Sequence, residues 1–505
     1  MTERLTAREV IALVADDFTP AAAPGGPAPE GRPPADPVVP APVAQAADGD
    51  GSDPGGRSLD GRTAAAPGGP APGDRTTGGP GPDRPRSDGP LGWAGYDASR
   101  ARAAEQTGED ESVLHGVAAV GGRPVVLVAF EFGFLGGSLG RAAGDRLVAA
   151  YETARERRIP LVTLVATGGS RMQEGMVALT QLQRVAAATV RLRAAGVPHV
   201  AVLRDPSTGG GWATVGAGAD VVLALPAAQV AFAGSRVRPP DADPAAYTAE
   251  EQWEHGHVDA IVPPQELRDA LSRWVRLLSG APGPEPRPAP VPRALAAVGP
   301  PGTGWAAVSR ARDPRRPRAG DYLDAYFEER AAVRGDRAGG VDPGVECGFG
   351  VHAGRVVAYA AQDGSATRPA GFRTAARLVR LADRLGIPVL TLIDTPGAAN
   401  DAAAERAGAG PAIAEAFAAI AAAGVPVTSL LIGEGGSGGA LALAAAGNTW
   451  TTPDGYFSVI APELAAAILK RPPARIPATA DQLRLRPQDL VALGVVRGIV
   501  TPQSG

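Results

Sequence analysis

An internal repeat restricts the fold of this chain more than any other feature. The runs Ile159-Pro160-Leu161-Val162-Thr163-Leu164-Val165-Ala166 and Ile387-Pro388-Val389-Leu390-Thr391-Leu392-Ile393-Asp394 share one apolar pattern, and their prolines stand 228 residues apart. Thr167-Gly168-Gly169-Ser170 follows the first run and Thr395-Pro396-Gly397 the second. A helix-to-strand entry comes next in both halves, Gly196-Val197-Pro198 and Gly424-Val425-Pro426, each ending 38 residues beyond the earlier proline. At the same offset Gly210-Gly211 fall opposite Gly438-Gly439, and the tail Gly256 to Val262 is echoed by Gly494 to Val500. A period this long describes a whole domain and not a solenoid segment. Short apolar runs alternating with helical stretches predict an α/β fold in each copy.

The rest of the chain is assigned around that repeat. Residues 1–20 are expected to hold one short amphipathic helix, with apolar side chains at helical spacing over residues 7–16. Residues 21–89, rich in Pro, Gly, Ala and Asp, have too few large apolar side chains to offset the entropy of ordering and are expected to be a disordered insert. Domains are placed at residues 90–279 and 316–505, with the Pro-rich stretch 280–315 as a linker.

Composition excludes several function classes. A net charge of -4 lacks the basic excess of a nucleic-acid binder. No run of eighteen apolar residues suggests a membrane span, and the first twenty residues do not read as a signal peptide. Cys347 is the only cysteine, which rules out an internal disulfide and a cysteine-rich zinc site and fits a cytoplasmic location. Lys470 is the only lysine, and neither a Walker loop nor a Schiff-base motif surrounds it.

A strand that runs into a glycine-rich loop and a helix start presents backbone N–H groups along the helix dipole, a cradle for an anion. Gly168-Gly169 and Gly435-Gly436-Ser437-Gly438-Gly439 have this pattern. Two such sets suit two oxyanions and electrostatic catalysis without a side-chain nucleophile. The alternative is that these glycines only make tight turns and close helix packing. Gly433-Glu434-Gly435-Gly436-Ser437-Gly438 also matches the dinucleotide fingerprint, with Asp454 at a tempting distance, although Asp454 sits in a turn and not at a strand end. His255 and His257 do not have the spacing of a helical zinc motif, and Ser437 lacks the full nucleophile-elbow order. Arg171 is open to pairing with a phosphate or an acidic neighbour, and Arg236 and Arg238 form a small basic patch.

At these loops the chain becomes recognisable. Phe132-Gly133-Phe134-Leu135-Gly136-Gly137-Ser138, Gly168 to Gly175, Asp205 to Gly210 and Phe232-Ala233-Gly234-Ser235-Arg236 resemble the beta subunit of bacterial acetyl-CoA carboxylase carboxyltransferase. Gly335-Asp336-Arg337, Ile393 to Ala398, Gly433 to Ala440 and Tyr456 to Glu463 resemble its alpha subunit. The resemblance implies two tandem crotonase-like ββα-superhelix domains, beta-type then alpha-type, in a natural fusion. It further implies transfer of a carboxyl group from carboxybiotin on a carrier protein to acetyl-CoA, giving malonyl-CoA for fatty acid or polyketide synthesis. On this reading the oxyanion-hole amides are Gly168 and Gly169 in one half and Gly438, Gly439 and Ala440 in the other. Substrate contacts fall to Arg171, Gly209, Gly210, Phe232, Ala233, Gly234, Gly397, Gly435 and Gly436.

The implied partners are the biotin carboxyl carrier protein, biotin carboxylase and a second copy of the chain, with neither membrane nor nucleic acid. The chain lacks the four-cysteine ribbon usual in the beta subunit, so no zinc is expected, and Ala399-Asn400-Asp401 replaces the usual Tyr-Pro-Gly. A propionyl-CoA carboxyltransferase, an acyl-CoA hydratase or decarboxylase on the same fold, and a non-catalytic scaffold are the alternatives. A hydratase needs positioned acids, for which Glu174 and Glu434 are the candidates.

Overall fold

In the computed structural model residues 4–22, 87–280, 286–296 and 299–502 are described. The insert expected over 21–89 therefore falls, for residues 23–86, outside the described residues.

Two sheets carry the fold. The first contains β1 (Asp17–Pro20), β2 (Val113–Val120), β3 (Arg123–Phe130), β4 (Leu161–Thr167), β5 (His199–Thr208), β6 (Val221–Ala224), β7 (Val230–Ala231) and β8 (Ala260–Ile261). Its order is β1-β2-β3-β4-β5-β6-β8, with β7 paired to the end of β5. The second contains β9 (Glu329–Val333), β10 (Val345–His352), β11 (Arg355–Gln362), β12 (Val389–Thr395), β13 (Val427–Gly436), β14 (Thr449–Thr451) and β15 (Tyr456–Ser458) in the order β14-β13-β12-β11-β10-β9, with β15 paired to β13. In each sheet an antiparallel hairpin, β2-β3 or β10-β11, leads into parallel strands. Around them lie α1 (Ala7–Val14), α2 (Tyr96–Thr107), α3 (Arg141–Arg157), α4 (Gln181–Ala194), α5 (Leu267–Leu278), α6 (Gly304–Ala311), α7 (Pro369–Leu385) and α8 (Ala409–Ala422).

The offset of 228 holds element by element: β4 with β12, β5 with β13, α3 with α7 and α4 with α8 share it at both ends. β4 and β12 are buried at every position, as a near-continuous apolar run in a parallel sheet covered on both faces requires. α3 and α7 stop on the same left-handed cap, supplied by Arg158 at φ +54° in one half and Gly386 at φ +69° in the other.

Two expectations are corrected. The N-terminal helix ends at Val14, and the chain then turns to pair Asp17–Pro20 as an edge strand against β2. The stretch expected to be a linker, residues 280–315, is packed against the second half wherever it is described. Ala289 lies among Leu390, Leu392 and Leu430, its carbonyl accepts from Thr428 Oγ1 at 3.0 Å, and α6 buries Ala307, Val308 and Ala311 beside Tyr456. Prolines that look like spacers here set an extended segment whose carbonyls are taken by the domain.

The halves are joined by a continuous core and a buried ion cluster. Trp274 on α5 meets Phe349 on β10 edge-on, with ring centroids 6.5 Å apart. Beside it Asp259, whose side chain is 0% exposed, binds Arg337 at 2.5 Å and Arg377 at 3.1 Å and accepts from the amides of Val222 and Arg334. Burial works against the charged carboxylate, yet Arg337 and Arg377 hold its carboxyl below the usual range. No described helix is long and apolar enough to cross a membrane.

Asp259→Ala leaves two half-buried guanidinium groups without their counter-charge and empties the hydrogen bonds of two backbone amides, and is expected to cost roughly 3 kcal/mol in urea unfolding. A second prediction concerns His199, which burial lowers to about 4. The unfolded chain binds that proton below about pH 6.5 and the folded chain does not, so stability is full above this value and falls as pH drops toward 4. Between pH 7 and pH 5 the wild type should lose about 2 kcal/mol more than His199→Gln, read from urea midpoints.

Candidate active site

Each sheet breaks its register at the same place. Along β4-β5 the pairing shifts between Val165 and Thr167, which brings Thr167 opposite Ser207; along β12-β13 it shifts between Ile393 and Thr395, bringing Thr395 opposite Gly435. The freed threonine hydroxyl then anchors the loop that follows. Gly169 N donates to Thr167 Oγ1 at 3.0 Å, and Gly397 N donates to Thr395 Oγ1 at 3.1 Å. Two backbone bonds are repeated as well: Leu139 N to Gly169 O with Arg171 N to Leu139 O, and Thr367 N to Gly397 O with Ala399 N to Thr367 O. Gly169 at φ +106° and Gly397 at φ +140° take conformations that side chains rarely adopt.

Beside each loop a strand feeds a short helix, Gly209–Gly211 after β5 and Ser437–Leu441 after β13. Both start on a left-handed residue, Gly209 at φ +63° and Ser437 at φ +53°. Gly210 and Gly438 stand second in these helices and Gly439 third, where an amide has no carbonyl behind it to bond. Close approach explains the neighbouring glycines. A Cβ on Gly436 would collide with Pro396 O, one on Gly439 with Ala398 N, and one on Gly210 would lie 2.6 Å from Leu182 Cδ1.

The geometry redistributes the expected donors. Gly168 N bonds Gly136 O at 2.9 Å and Gly169 N bonds Thr167 Oγ1, so the amides expected for the first half are engaged within its loops, whereas Gly210, second in its short helix, has no carbonyl a turn behind it. Ala440 is corrected too: it stands fourth in its helix, where the amide turns to the carbonyl of the cap residue Gly436. Gly168, Gly169, Gly209, Phe232 and Gly234 line one cavity of about 800 Å³ in the first half, and Ala233 lies in the same loop. In the second half Gly438 lines an apolar recess of about 400 Å³ with Leu441, Phe457 and Val495. Gly397, Gly435 and Gly436 sit behind it as packing positions, and Gly439 packs its Cα side against Ala398. The two cavities share no lining residue.

Arg171 is corrected from substrate contact to support. Its side chain is 0% exposed and points under the loop. There it meets both carboxylate oxygens of Glu111, Ser138 O at 2.8 Å, Ser138 Oγ at 3.1 Å and Tyr96 OH at 3.1 Å. Tyr96 on α2 donates to Glu174 at 2.5 Å, and burial with this bond pushes its phenol up to about 12. Burial alone would raise Glu111, but Arg171 outweighs it and holds the carboxyl low. Under the second loop Asp394 pairs with Arg316 at 2.5 Å and Arg318 at 3.2 Å, and burial still leaves it above its ordinary range.

Glu174 also accepts from Arg141 N at 2.6 Å, and Glu434 is held by Arg312 at 3.0 Å and Tyr456 OH at 2.7 Å, so neither is a free acid or base. The dinucleotide reading loses its loop, because Gly433, Gly435 and Gly436 lie inside β13. Arg238 turns inward to Gln229 at 3.0 Å and stacks on Tyr247, whereas Arg236 stays exposed at the cavity. Sequence reasoning missed the threonine anchors, although Thr167 and Thr395 stand at the repeat offset. It also missed Arg4, which lines the first cavity from the far N-terminus and gives no local signal. Arg171→Leu leaves Glu111 buried and unpaired, so a loss of roughly 3–5 kcal/mol in unfolding free energy is expected; an unchanged urea midpoint with a raised KM would return Arg171 to the ligand.

Comparison with known proteins gives the family. Residues 92–261 match the carboxyl transferase domain, and residues 302–505 match the acetyl co-enzyme A carboxylase carboxyltransferase-like family. The acetyl-coenzyme A carboxylase carboxyl transferase subunits beta/alpha of Saccharopolyspora erythraea are 40% identical over 435 residues, covering 81% of this chain and 75% of that protein. A probable biotin-dependent acyl-coenzyme A carboxylase beta3 subunit of Mycobacterium tuberculosis is 36% identical over 424 residues, covering 80% of this chain and 83% of that one. Among solved structures, the transcarboxylase 12S hexamer with methylmalonyl-coenzyme A and methylmalonic acid bound superposes with a TM-score of 0.65 at 22% identity, over 77% of this chain and 79% of that chain, a likeness of fold. The chain belongs to the family of acetyl-coenzyme A carboxylase carboxyl transferase subunits beta/alpha, with the beta-type and alpha-type halves in one polypeptide.

Proposed function

We infer that this chain is the carboxyltransferase of an acetyl-CoA carboxylase, moving a carboxyl group from carboxybiotin to acetyl-CoA to give malonyl-CoA. The observation that carries the reading is the paired construction: two threonine-anchored loops, each beside a helix start with open amides, and no free carboxylate or imidazole at either. A hydratase would need a positioned acid or base, and Glu174 and Glu434 are both bound within the protein.

In this proposal the acyl-CoA occupies the first cavity, whose volume suits a cofactor-sized ligand. Exposed Arg236 meets its phosphates, and the amide N–H of Gly210, next to the lining residue Gly209, donates to the negative charge that develops on the thioester oxygen. The carboxyl donor lies at the second half, where an apolar recess takes the ring and tail and the amides of Gly438 and Gly439 bind the ureido oxygen. Carboxybiotin supplies the carboxyl group; the chain's own residues position, desolvate and stabilise charge. A neutral ureide fits amides and apolar side chains, and Arg484, which also lines the recess, suits the carboxylate it carries.

Because the two cavities share no lining residue, we propose that a second copy brings the second-half recess of one protomer to the first-half cavity of the other. A biotinylated carrier protein and its biotin carboxylase complete the cycle, in the cytoplasm and without zinc in this chain.

The first test is malonyl-CoA-dependent carboxylation of free biotin by the purified chain, run beside methylmalonyl-CoA. Turnover with malonyl-CoA is expected to exceed turnover with methylmalonyl-CoA; the reverse ranking would make the enzyme a propionyl-CoA carboxyltransferase, and no turnover with intact CoA binding would favour the hydratase or the scaffold. A paired substitution tests the amides. A Cβ on Gly438 meets nothing within 4 Å, so Gly438→Ala should keep near-normal rates while Gly438→Pro, which removes the N–H, should lower kcat by on the order of 10²–10³. Wild-type kcat in a folded Gly438→Pro variant would sink the assignment.

A further inference from the structure

Among the side chains that line the first cavity, Arg4 and Arg236 are the ionisable ones, and both are cations. Arg236 belongs to the loop after β7, but Arg4 arrives from the other end of the chain. Its position there is built, not incidental. α1 begins with a capping box in which Glu9 N donates to Thr6 Oγ1 at 3.2 Å and Thr6 N donates to Glu9 at 2.8 Å. Ala7 N donates to Glu131 at 2.7 Å, and Leu5 O accepts from Arg204, which also reaches Phe130 O at 3.1 Å. At the other end of the helix Arg268 on α5 donates to Leu13 O and Ala15 O, both at 3.0 Å. Ala7, Val10, Ile11 and Val14 are buried in the core the halves share. The arm just before α1 is therefore pinned at the cavity mouth.

Arg4 stacks on Phe132 at 4.8 Å from the ring centroid and donates from Nε and Nη2 to one oxygen of Asp205, at 3.2 and 3.0 Å. Its side chain remains 50% exposed and that of Asp205 36%, and a pair so open to water is weak. The other Asp205 oxygen accepts from Gln229 N at 3.1 Å, so the carboxylate keeps its place if the guanidinium turns toward a ligand. Among the described residues Nη1 has no hydrogen-bond partner. A planar guanidinium with an open edge, held over an aromatic ring, suits a phosphate group.

We propose that Arg4 is a specificity-determining contact for a phosphate of the acyl-CoA, closing on it from the N-terminal arm opposite Arg236. This rests on the placement of acyl-CoA in the first cavity. The arm then selects the nucleotide-bearing thioester over the same acyl group on pantetheine, and Phe132 fixes the plane of the guanidinium.

The test is isothermal titration of the full chain with acetyl-CoA, 3′-dephospho-acetyl-CoA and acetyl-pantetheine. Wild type, Arg4→Ala and Arg8→Ala are compared; Arg8 pairs with Glu109 and does not line the cavity. Arg4→Ala is expected to raise the Kd for acetyl-CoA about tenfold, as one charge-assisted phosphate contact is worth, with KM rising and kcat held, whereas Arg8→Ala and the pantetheine thioester show no such change. If the tenfold gap disappears with the 3′-dephospho ligand, Arg4 reads the 3′-phosphate; if it persists, Arg4 reads the diphosphate. Equal acetyl-CoA affinity in wild type and a folded Arg4→Ala overturns the proposal and leaves the function standing. A wild type that binds no acyl-CoA at any concentration overturns both.

Discussion

Everything else in the molecule is arranged around a carboxylate that neither half can satisfy alone. Asp259 closes the first half, and two of its partners are guanidinium groups of the second, with a third contact to the amide of Arg334. Removed from water and paired on several sides, it fixes the orientation of one sheet against the other, because a charge-assisted contact at 2.5 Å tolerates little sliding. The apolar core around Trp274 and Phe349 runs through both halves, but apolar contact is indifferent to direction. Asp259 supplies the direction. The two amide sets are thereby held at fixed places on a single body, each opening into its own cavity.

The duplicated halves have kept their backbone and changed their chemistry. Register breaks, threonine anchors and left-handed helix starts coincide residue for residue at the repeat offset. Above this common frame the first half opens a roomy cavity with polar loops and two cations, while the second lines a smaller recess mostly with leucine, valine and phenylalanine, and with the one cation Arg484. Beneath it, the first half carries a guanidinium between two carboxylates at Arg171 and the second a carboxylate between two guanidinium groups at Asp394. Opposite charges support similar loops, because what the loop needs from below is a buried, saturated hydrogen-bonding hub and not a particular sign.

Much of this was legible in the sequence. Repeated proline-led apolar runs place β4 and β12, since a strand covered on both faces leaves an uninterrupted apolar record. The glycines of the second site are equally visible, because the contacts of Gly436 and Gly439 with Pro396 and Ala398 admit no side chain. What the sequence conceals is which amide already has an acceptor. Gly168 and Gly438 look alike as letters, and only the nearby Gly136 carbonyl engages one of them. Arg171 misleads for a related reason: Glu174 stands three residues on, but Glu111, which meets the guanidinium with both oxygens, is 60 residues away and leaves no local signal. Composition reads residues 280–315 as a spacer, whereas their described parts are packed, because proline marks extended chain whether or not that chain is packed.

The Asp259 clasp also has a meaning in time. During synthesis the first half leaves the ribosome while Arg337 and Arg377 are still to be translated, and at 5–20 residues per second the interval to Arg377 is on the order of ten seconds. Through that interval an Asp259 enclosed by the emerging domain would lack the two guanidinium groups that match its charge in the complete chain. Fusion of the halves thus sets an order of assembly as well as a stoichiometry.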